Sequence, residues 1–398
     1  MRIAIYSDNF YPELSGITDS IITTGKELAR RGHFINYYVP CYSKENYLSL
    51  HRERKLDLGP RIEVHRLPAF PIPTGTGQGR FAPPIMWSFP SLKKFNPDVI
   101  HLHLLGGTGF EALIASRILR KPLVGTNHTV FAEFLHYFPV RAKLLDKLIL
   151  GYDSWLYNRC DFVASPTHTI FDAMASFDLR ILHEIISNPI DSNLFNPHFS
   201  KAEMKKKFTL SEFTILYVGR LAAEKSISVI LRAIALLKNR IPNLNLALVG
   251  RGAYEAELRD LAKSLGIVNM VKFMGFIPQN IEMVEIYNAC DIFTIMSTSE
   301  TQNIGSMQAL ACKLPVIAAD AWGLKDYINP DVGFRIAPGD SNALAEKIFD
   351  LYKRPEKRAA IGAEGRKYVK QFSIENVGGK WEEIYGGVIK RYNQKAAR

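Results

Sequence analysis

The sequence predicts an α/β protein with two doubly wound domains, on three observations. Its 398 residues exceed what one hydrophobic core usually organises, so two domains of about 200 residues each are expected. Apolar, strand-like runs alternate with amphipathic helical segments, the pattern of parallel sheets covered by helices. The stretch NPIDSNLFNPHFS, residues 188–200, interrupts regular structure between the two halves. We predict Rossmann-like domains over 1–187 and 188–372, and a helical segment over 373–398 that returns to the N-terminal domain and packs across both.

Each half contains six predicted strands. Those of the first half are RIAIYS, FINYYVP, IEVHRLP, DVIHLHLL, PLVGTNH and FVASPT, and those of the second are TILYVGR, LNLALVG, VKFMGF, IFTIMS, PVIAAD and VGFRIAP. Helical patterns lie between them. In ITDSIITTGKELARRG, Ile17, Ile21 and Leu28 recur at helical spacing and Gly32 ends the pattern. Ligands of such sheets bind beyond the C-terminal strand ends, so two facing domains are expected to hold a site in a central cleft.

Composition excludes several classes of protein. Hydrophobic residues make up 47% and charged residues 22%, as in a globular domain, and four scattered cysteines form neither a disulfide framework nor a zinc site. We find no signal-like N-terminus and no apolar run near the roughly 18 residues that span a bilayer, so a cytoplasmic protein is expected. The net charge of +11 favours phosphate-bearing ligands or an anionic membrane surface. No nucleic-acid-binding motif accompanies it, so nucleic acid is not an expected partner.

Glycines and cations follow the predicted strands. In YVGRLAAEKS, Gly219 and Arg220 end a strand and Lys225 enters the next helix. Cations beside a helix N-terminus suit a diphosphate, although solvated loop charges would look the same. Gly16 and Gly250 occupy similar strand-to-helix loops, where glycine allows a ligand close to the backbone or simply makes a turn.

Three histidines lie on predicted strands or at their ends. His101 and His103 share one face of HLH, which could form half of a metal site, but no third ligand follows and a packed strand end is the favoured interpretation. His128 ends the strand in LVGTNHTVF, where it is either a half-buried structural residue or a site residue. No metal is predicted.

The stretch SETQNIGSMQAL, residues 299–310, reads as a polar loop followed by a helix. Glu300 ends the loop, Asn303 and Ile304 would present free backbone N–H groups at the helix start, and Gln308 lies one turn after Ile304. Such a unit can hold a polar ligand between a carboxylate and a helix N-terminus.

In order along the chain, these segments resemble one family. The sequences PELSGI, DVIHLHLLGGTGFEAL, TNHT, VGRLAAEKS, LVGRG, FMGFI, ALACKLPVIA and GFRIAPGDSNALAEKI are similar to those of the retaining nucleotide-sugar glycosyltransferases of family four, which have the GT-B fold. The likeness runs from residue 1 to about 375. The ETQ sequence also resembles bacterial lipid glycosyltransferases that act on diacylglycerol or phosphatidylinositol.

The resemblance implies a role for each site residue. Arg220 and Lys225 would hold the donor diphosphate and stabilise the leaving nucleotide, and Gly16 would meet the same phosphates. His128 would contact the transferred sugar, and Glu300 would bind its hydroxyls. The other implied donor contacts are Gly219, Gly250, Asn303, Ile304, Gln308 and the backbone of Ile277. A UDP-hexose or GDP-mannose would be the co-substrate. Front-face attack demands neither an enzyme nucleophile nor a metal cofactor.

Two positions depart from the family pattern. Where this chain has Asn303 the family usually has glycine, and we expect Asn to survive there because it tolerates a left-handed backbone. Where it has Gln308 the family usually has a glutamate that grips the nucleotide ribose. Gln keeps one acceptor but loses the charge, so donor binding about tenfold weaker is expected.

The acceptor is expected to meet the N-terminal half. Residues 131–160 combine Leu144, Leu148 and Trp155 with basic side chains, as in a membrane-surface helix, but an ordinary core helix fits equally. Residues 70–91 form a Gly/Pro-rich loop with aromatic residues. Both segments and the basic charge favour a membrane lipid as acceptor. A soluble or lipid-linked glycan, a nucleotide-sugar 2-epimerase and a catalytically weak donor-binding relative remain alternatives.

Overall fold

The computed structural model describes residues 1–13, 15–50, 52–72, 78–128, 151–175, 179–278 and 281–397. The chain forms two compact units. One contains Met1–Pro189 together with Ile374–Arg398, and the other contains Ile190–Ser373. The first passage between the units falls within the irregular 188–200 segment.

The first unit is built on a seven-stranded parallel sheet with the order β3-β2-β1-β6-β7-β8-β9. Its strands are β1 Arg2–Ser7, β2 Phe34–Pro40, β3 Ile62–Leu67, β6 Val99–His103, β7 Leu123–Thr126, β8 Phe162–Ser165 and β9 His183–Ile185. A separate antiparallel pair joins β4 Phe70–Pro71 to β5 Arg80–Phe81. The six predicted strands are confirmed. Strand β9 was not predicted, because its three residues are too few and too exposed to show a strand pattern.

Helices cover this sheet. They are α1 Gly16–Arg30, α2 Lys44–Ser49, α3 Phe89–Phe95, α4 Gly107–Leu119 and α5 His168–Ala175, and residues 151–157 are also helical. Helix α1 begins where Ser15 Oγ accepts from the Thr18 N–H at 3.1 Å, and it buries Ile21 and Leu28 as its spacing predicts. Gly32 follows its end with a φ of +98°, a left-handed conformation that glycine adopts without strain.

The second unit holds a six-stranded parallel sheet with the order β12-β11-β10-β13-β14-β15. Its strands are β10 Phe213–Val218, β11 Leu244–Val249, β12 Val271–Gly275, β13 Ile292–Ile295, β14 Val316–Ala319 and β15 Gly333–Ile336. All six match the predicted strands. Its helices are α6 Lys201–Lys207, α7 Ile227–Leu237, α8 Glu255–Ser264, α9 Ile281–Ala289, α10 Ile304–Ala311, α11 Leu324–Tyr327, α12 Ser341–Lys353 and α13 Pro355–Val369.

The last helix, α14 Ile374–Ala396, belongs to the first unit. Its apolar face buries Trp381 and Tyr385 in the core that also contains Ile21 and Leu28 of α1. Burial of two large aromatic side chains stabilises this attachment. Among the residues that the structure describes, no helix is both long enough and apolar enough to cross a bilayer.

Candidate active site

Three loops of the second unit lie side by side at the C-terminal ends of β10, β11 and β12. The Gly219 N–H donates to Val249 O at 3.0 Å, and the Gly250 N–H donates to Gly275 O at 2.7 Å. Gly250 has a φ of +138°, and a Cβ built there would lie 1.9 Å from the Gly219 carbonyl oxygen. Glycine is therefore required at 250 for the loops to pack, and no ligand has to be invoked to explain it.

The two cations predicted to hold phosphate are each paired with a carboxylate. Arg220 Nη2 lies 2.8 Å from Glu224 Oε1, and Lys225 Nζ lies 2.7 Å from Glu300 Oε1. The short 3₁₀ helix Ala223–Lys225 places Glu224 and Lys225 just before α7. The two ion pairs balance the charge of the site. A diphosphate that binds to these cations must therefore displace the carboxylates or bind beside them.

Glu300 is buried and ionised. Burial by itself would raise its pKa, but the Lys225 ammonium holds the pKa of Glu300 below its ordinary value, and hydrogen bonds from Asn303 and Ser297 act in the same direction. The charged carboxylate is therefore available as a hydrogen-bond acceptor at neutral pH. A sugar hydroxyl is the kind of donor that such an acceptor binds.

Asn303 has a different role from the one expected. Its φ is −84°, so the position is not left-handed, and that expectation is wrong. Its side chain instead accepts from the Ser306 N–H at 2.7 Å as the N-cap of α10, which Ile304 begins. The Asn303 N–H, expected to be free, donates to Tyr327 Oη at 2.9 Å. The helix start is thus held by protein groups at 303 and 306.

Gln308 lies inside the second unit with only 4% of its surface exposed. Tyr287 Oη lies 2.9 Å from Gln308 Oε1 and 3.0 Å from Gly305 O. A phenol has one proton, so it donates to one of these oxygens, unless the Gln308 amide turns and donates to Tyr287. Whether Tyr287 donates to Gln308 Oε1 or the turned Gln308 amide donates to Tyr287, Gln308 of α10 is hydrogen-bonded to Tyr287 of α9. Ile277 is buried in the core, and the contact of its backbone with the donor base stays a prediction.

His128 lies at the end of β7 in the first unit and contacts another histidine. His128 Nε2 lies 2.8 Å from His103 Nδ1, and both residues are buried. Burial lowers the pKa of His128 to about 4 and holds the pKa of His103 well below its ordinary value, so both rings are neutral near pH 7. His101 and His103 share a face as expected, and no group of three potential metal ligands occurs among the described residues. Gly16, the first residue of α1, is exposed.

The structure therefore brings part of the predicted site together. Lys225, Glu300 and Asn303 are in contact, and Gly219 and Gly250 pack together. Three residues that sequence reasoning missed support this set: Glu224, Tyr287 and Tyr327. Only Glu224 had a signal in the sequence, an opposite charge four residues after Arg220. The predicted acceptor residues Leu144 and Leu148 lie outside the described residues.

Two family models match consecutive parts of the chain. The model described as "Glycosyltransferase Family 4" matches residues 14–194, and the model described as "Glycosyl transferases group 1" matches residues 200–368. The chain belongs to the family-four glycosyltransferases. The predicted family is confirmed, and the enzyme is a hexosyltransferase that uses a nucleotide sugar.

Curated relatives extend over the full length of the enzyme. The chain is 26% identical over 416 residues to alpha-monoglucosyldiacylglycerol synthase of Acholeplasma laidlawii, covering 99% of each protein. It is 25% identical over 396 residues to the synthase of the same name from Streptococcus pneumoniae, covering 97% of this chain and 85% of the relative.

Solved structures confirm the GT-B fold. The enzyme matches Anabaena HepE in complex with UDP with a TM-score of 0.76 at 22% identity, over 97% of this chain and 100% of that one. It matches sucrose-phosphate synthase from Thermosynechococcus elongatus with a TM-score of 0.77 at 20% identity, over 98% and 99% of the two chains.

Proposed function

We propose that the enzyme transfers a hexose from a UDP- or GDP-sugar to a hydroxyl group of a membrane lipid, with retention of configuration. The observation that carries the donor half is the pairing of Lys225 with Glu300. An ammonium suited to a phosphate and a carboxylate suited to sugar hydroxyls are in contact at 2.7 Å, so one diphosphate sugar could meet the first with its phosphate and the second with its sugar.

The mechanism uses charge that these side chains already hold. When the diphosphate enters, Arg220 and Lys225 exchange carboxylate for phosphate, and Glu300 becomes free to accept from the sugar hydroxyls. As the bond from the anomeric carbon to phosphate breaks, negative charge grows on the departing phosphate and the two cations stabilise it. The acceptor hydroxyl attacks the same face, and its proton passes to that phosphate oxygen. His128 is proposed to contact the transferred sugar.

A thermal-shift titration with UDP, GDP, UDP-glucose and GDP-mannose tests the donor site. A ligand that binds only the native state raises the melting temperature by mass action, so the nucleotide that the enzyme prefers gives the largest shift. We expect a shift with one nucleotide family, lost in Arg220→Ala and Lys225→Met. The matched control is Lys272→Met, which removes a cation that contacts the Thr209 carbonyl elsewhere in the second unit. No shift with any of the four at millimolar concentration would contradict the donor site.

The lipid half of the proposal rests on the named relatives and on exposed residues between positions 70 and 94 of the first unit. Phe70, Phe81 and Trp87 are exposed by 62%, 42% and 54%, and Phe70 faces Phe81 in the β4–β5 pair. The last turn of nearby α3 carries Lys93 and Lys94. Exposed aromatic side chains followed by cations suit an anionic bilayer, so we propose peripheral binding at the cytoplasmic face of the cell membrane.

Vesicle sedimentation separates a lipid acceptor from a glycan acceptor. We expect the enzyme to sediment with vesicles that contain phosphatidylglycerol and to remain free with phosphatidylcholine alone. The double variant Phe81→Ser/Trp87→Ser should lose most of this binding. Leu236→Ser, which changes a side chain of the second unit that is 47% exposed, should keep it. If the wild type ignores anionic vesicles but transfers sugar to a soluble glycan, the lipid acceptor is wrong and the donor site stands.

A further inference from the structure

Three histidine rings of the first unit form a continuous buried set, and the proposed mechanism uses His128 but not the other two. His101 and His103 are two residues apart on β6, so they share a face, and their ring centroids are 4.0 Å apart. His103 Nδ1 then lies 2.8 Å from Nε2 of His128, at the end of the neighbouring strand β7.

The contact between His103 and His128 determines which atom of His128 can meet a ligand. A hydrogen bond between two neutral imidazoles needs one N–H donor and one bare nitrogen acceptor, and it occupies Nε2 of His128 in either direction. Both rings are neutral near pH 7 because they are buried. Nδ1 is therefore the ring nitrogen of His128 that a sugar can contact.

The His103 ring packs against His101, and two hydrogen bonds fix the position of His101. His101 has Nδ1 2.7 Å from Tyr385 Oη and Nε2 2.7 Å from Thr126 Oγ1. The Trp381 ring centroid lies 4.7 Å from that of His101. Trp381 and Tyr385 both belong to α14, so the C-terminal helix supports the ring that supports His103.

We propose that His103 is a positioning residue for His128: it binds Nε2, fixes the ring and leaves Nδ1 to contact the transferred sugar. The inference rests on the proposed transfer reaction, in which His128 meets the sugar. It adds a residue that acts through His128 without touching substrate. Its chemical basis is the directional bond between two neutral rings, which a side chain of similar size without a polar atom cannot replace.

Kinetics of two substitutions at one position test the role. In His103→Asn the amide nitrogen falls near the place of Nδ1 and can still bind His128, whereas His103→Leu fills the space without a polar atom. We expect His103→Leu to lower kcat by about tenfold or more with the donor KM nearly unchanged, because a lost hydrogen bond at the reacting centre costs about that factor. His103→Asn should recover most of kcat. His183→Leu, at a half-buried histidine of β9 in the same sheet, should match the wild type.

A measurement that needs no turnover tests the bond itself. Nitrogen-15 NMR of the folded enzyme should show scalar coupling between Nδ1 of His103 and Nε2 of His128 across the hydrogen bond. The coupling should vanish in His103→Leu, and His128→Asn assigns the signals. Melting temperatures near that of the wild type establish that both position-103 variants are folded.

The outcomes separate the two proposals. Suppose that the wild type is active. If His103→Leu then turns over as fast as the wild type, or if His103→Asn is as slow as His103→Leu, the positioning role is wrong and the transfer reaction stands. Absence of the coupling in the wild type also overturns the positioning role. A wild type that binds no nucleotide sugar and transfers none overturns both, because the positioning role has no reaction to serve.

Discussion

At the scale of single residues, the charged side chains of the proposed donor site form two ion pairs with one another. The Lys225 ammonium and the buried Glu300 carboxylate satisfy each other at 2.7 Å, and Arg220 and Glu224 form the second pair at 2.8 Å. Leaving the buried Glu300 carboxylate without a partner is costly, so its pair with Lys225 stabilises the fold. Each pair also competes with the ligand, because a cation that binds phosphate must give up part of its bond to carboxylate.

This competition predicts opposite effects of Glu300→Gln on two measurements. Without the carboxylate, Lys225 is free for phosphate, so we expect UDP or GDP alone to bind as tightly as to the wild type or about two- to fivefold more tightly. Sugar transfer should fall by about 100-fold because the charged acceptor for the hydroxyls is lost. Calorimetric titration and initial rates measure the two quantities. If Glu300→Gln weakens nucleotide binding as much as Lys225→Met does, Glu300 supports the phosphate site and not the sugar.

Gln308 offers a gain-of-function test. A carboxylate in its place would still accept from Tyr287 and would regain the charge-assisted acceptor that the family usually presents to the ribose. We expect Gln308→Glu to bind the donor about tenfold more tightly, measured by calorimetry. Gln308→Met, of similar volume but without hydrogen-bonding groups, is the control and should weaken binding. Unchanged affinity in Gln308→Glu would show that this side chain does not meet the donor.

At the scale of the element, the start of α10 is organised by Asn303. Its side chain caps Ser306, its N–H reaches Tyr327, and its amide supports Glu300. One side chain therefore joins helix capping to the position of the proposed sugar-binding carboxylate. A glycine at 303 would keep the backbone N–H contact with Tyr327 but would supply neither side-chain contact.

The cap predicts a graded effect on stability. Loss of a side-chain N-cap costs about 1 kcal/mol, so Asn303→Ala should lower the melting temperature by about 2–4 °C. Asn303→Ser keeps an oxygen for the Ser306 N–H and should stay close to the wild type. Both variants lose the hydrogen bond from the Asn303 side-chain amide to Glu300, so both should transfer sugar more slowly. Scanning calorimetry and initial rates are the measurements, and equal melting temperatures for Ala and Ser would exclude the cap.

At the scale of the whole molecule, each unit has its own parallel sheet and core, and the C-terminal helix completes the first of them. One buried carboxyl makes the stability of this unit depend on pH. Burial raises the pKa of Asp153 to about 7. An unfolded chain has an ordinary Asp pKa near 4, so the native state binds the proton more tightly and loses stability as pH rises between about 4 and 7.

Asp153→Asn removes the contribution of this carboxyl to the pH dependence. We expect the variant to melt at nearly the same temperature as the wild type at pH 4 and about 4 °C or more above it at pH 8. Asp172→Asn, at an exposed carboxyl of α5, should show no such trend. A difference between Asp153→Asn and the wild type that is constant from pH 4 to pH 8 would mean that Asp153 ionises in the native state as it does in water.

The sequence by itself determined the features that depend on near neighbours in the chain. Twelve main strands, the helix that begins at Gly16, the loop glycine at 250 and the ordered family segments all follow from local hydrophobic period, backbone freedom and fixed spacing. Tertiary structure decided the partners. The pairs Lys225–Glu300, Tyr287–Gln308 and His101–Tyr385 join residues 75, 21 and 284 positions apart, and no local pattern specifies such contacts. The same reason explains the contact of the Asn303 N–H with Tyr327, which lies 24 positions further along the chain on α11.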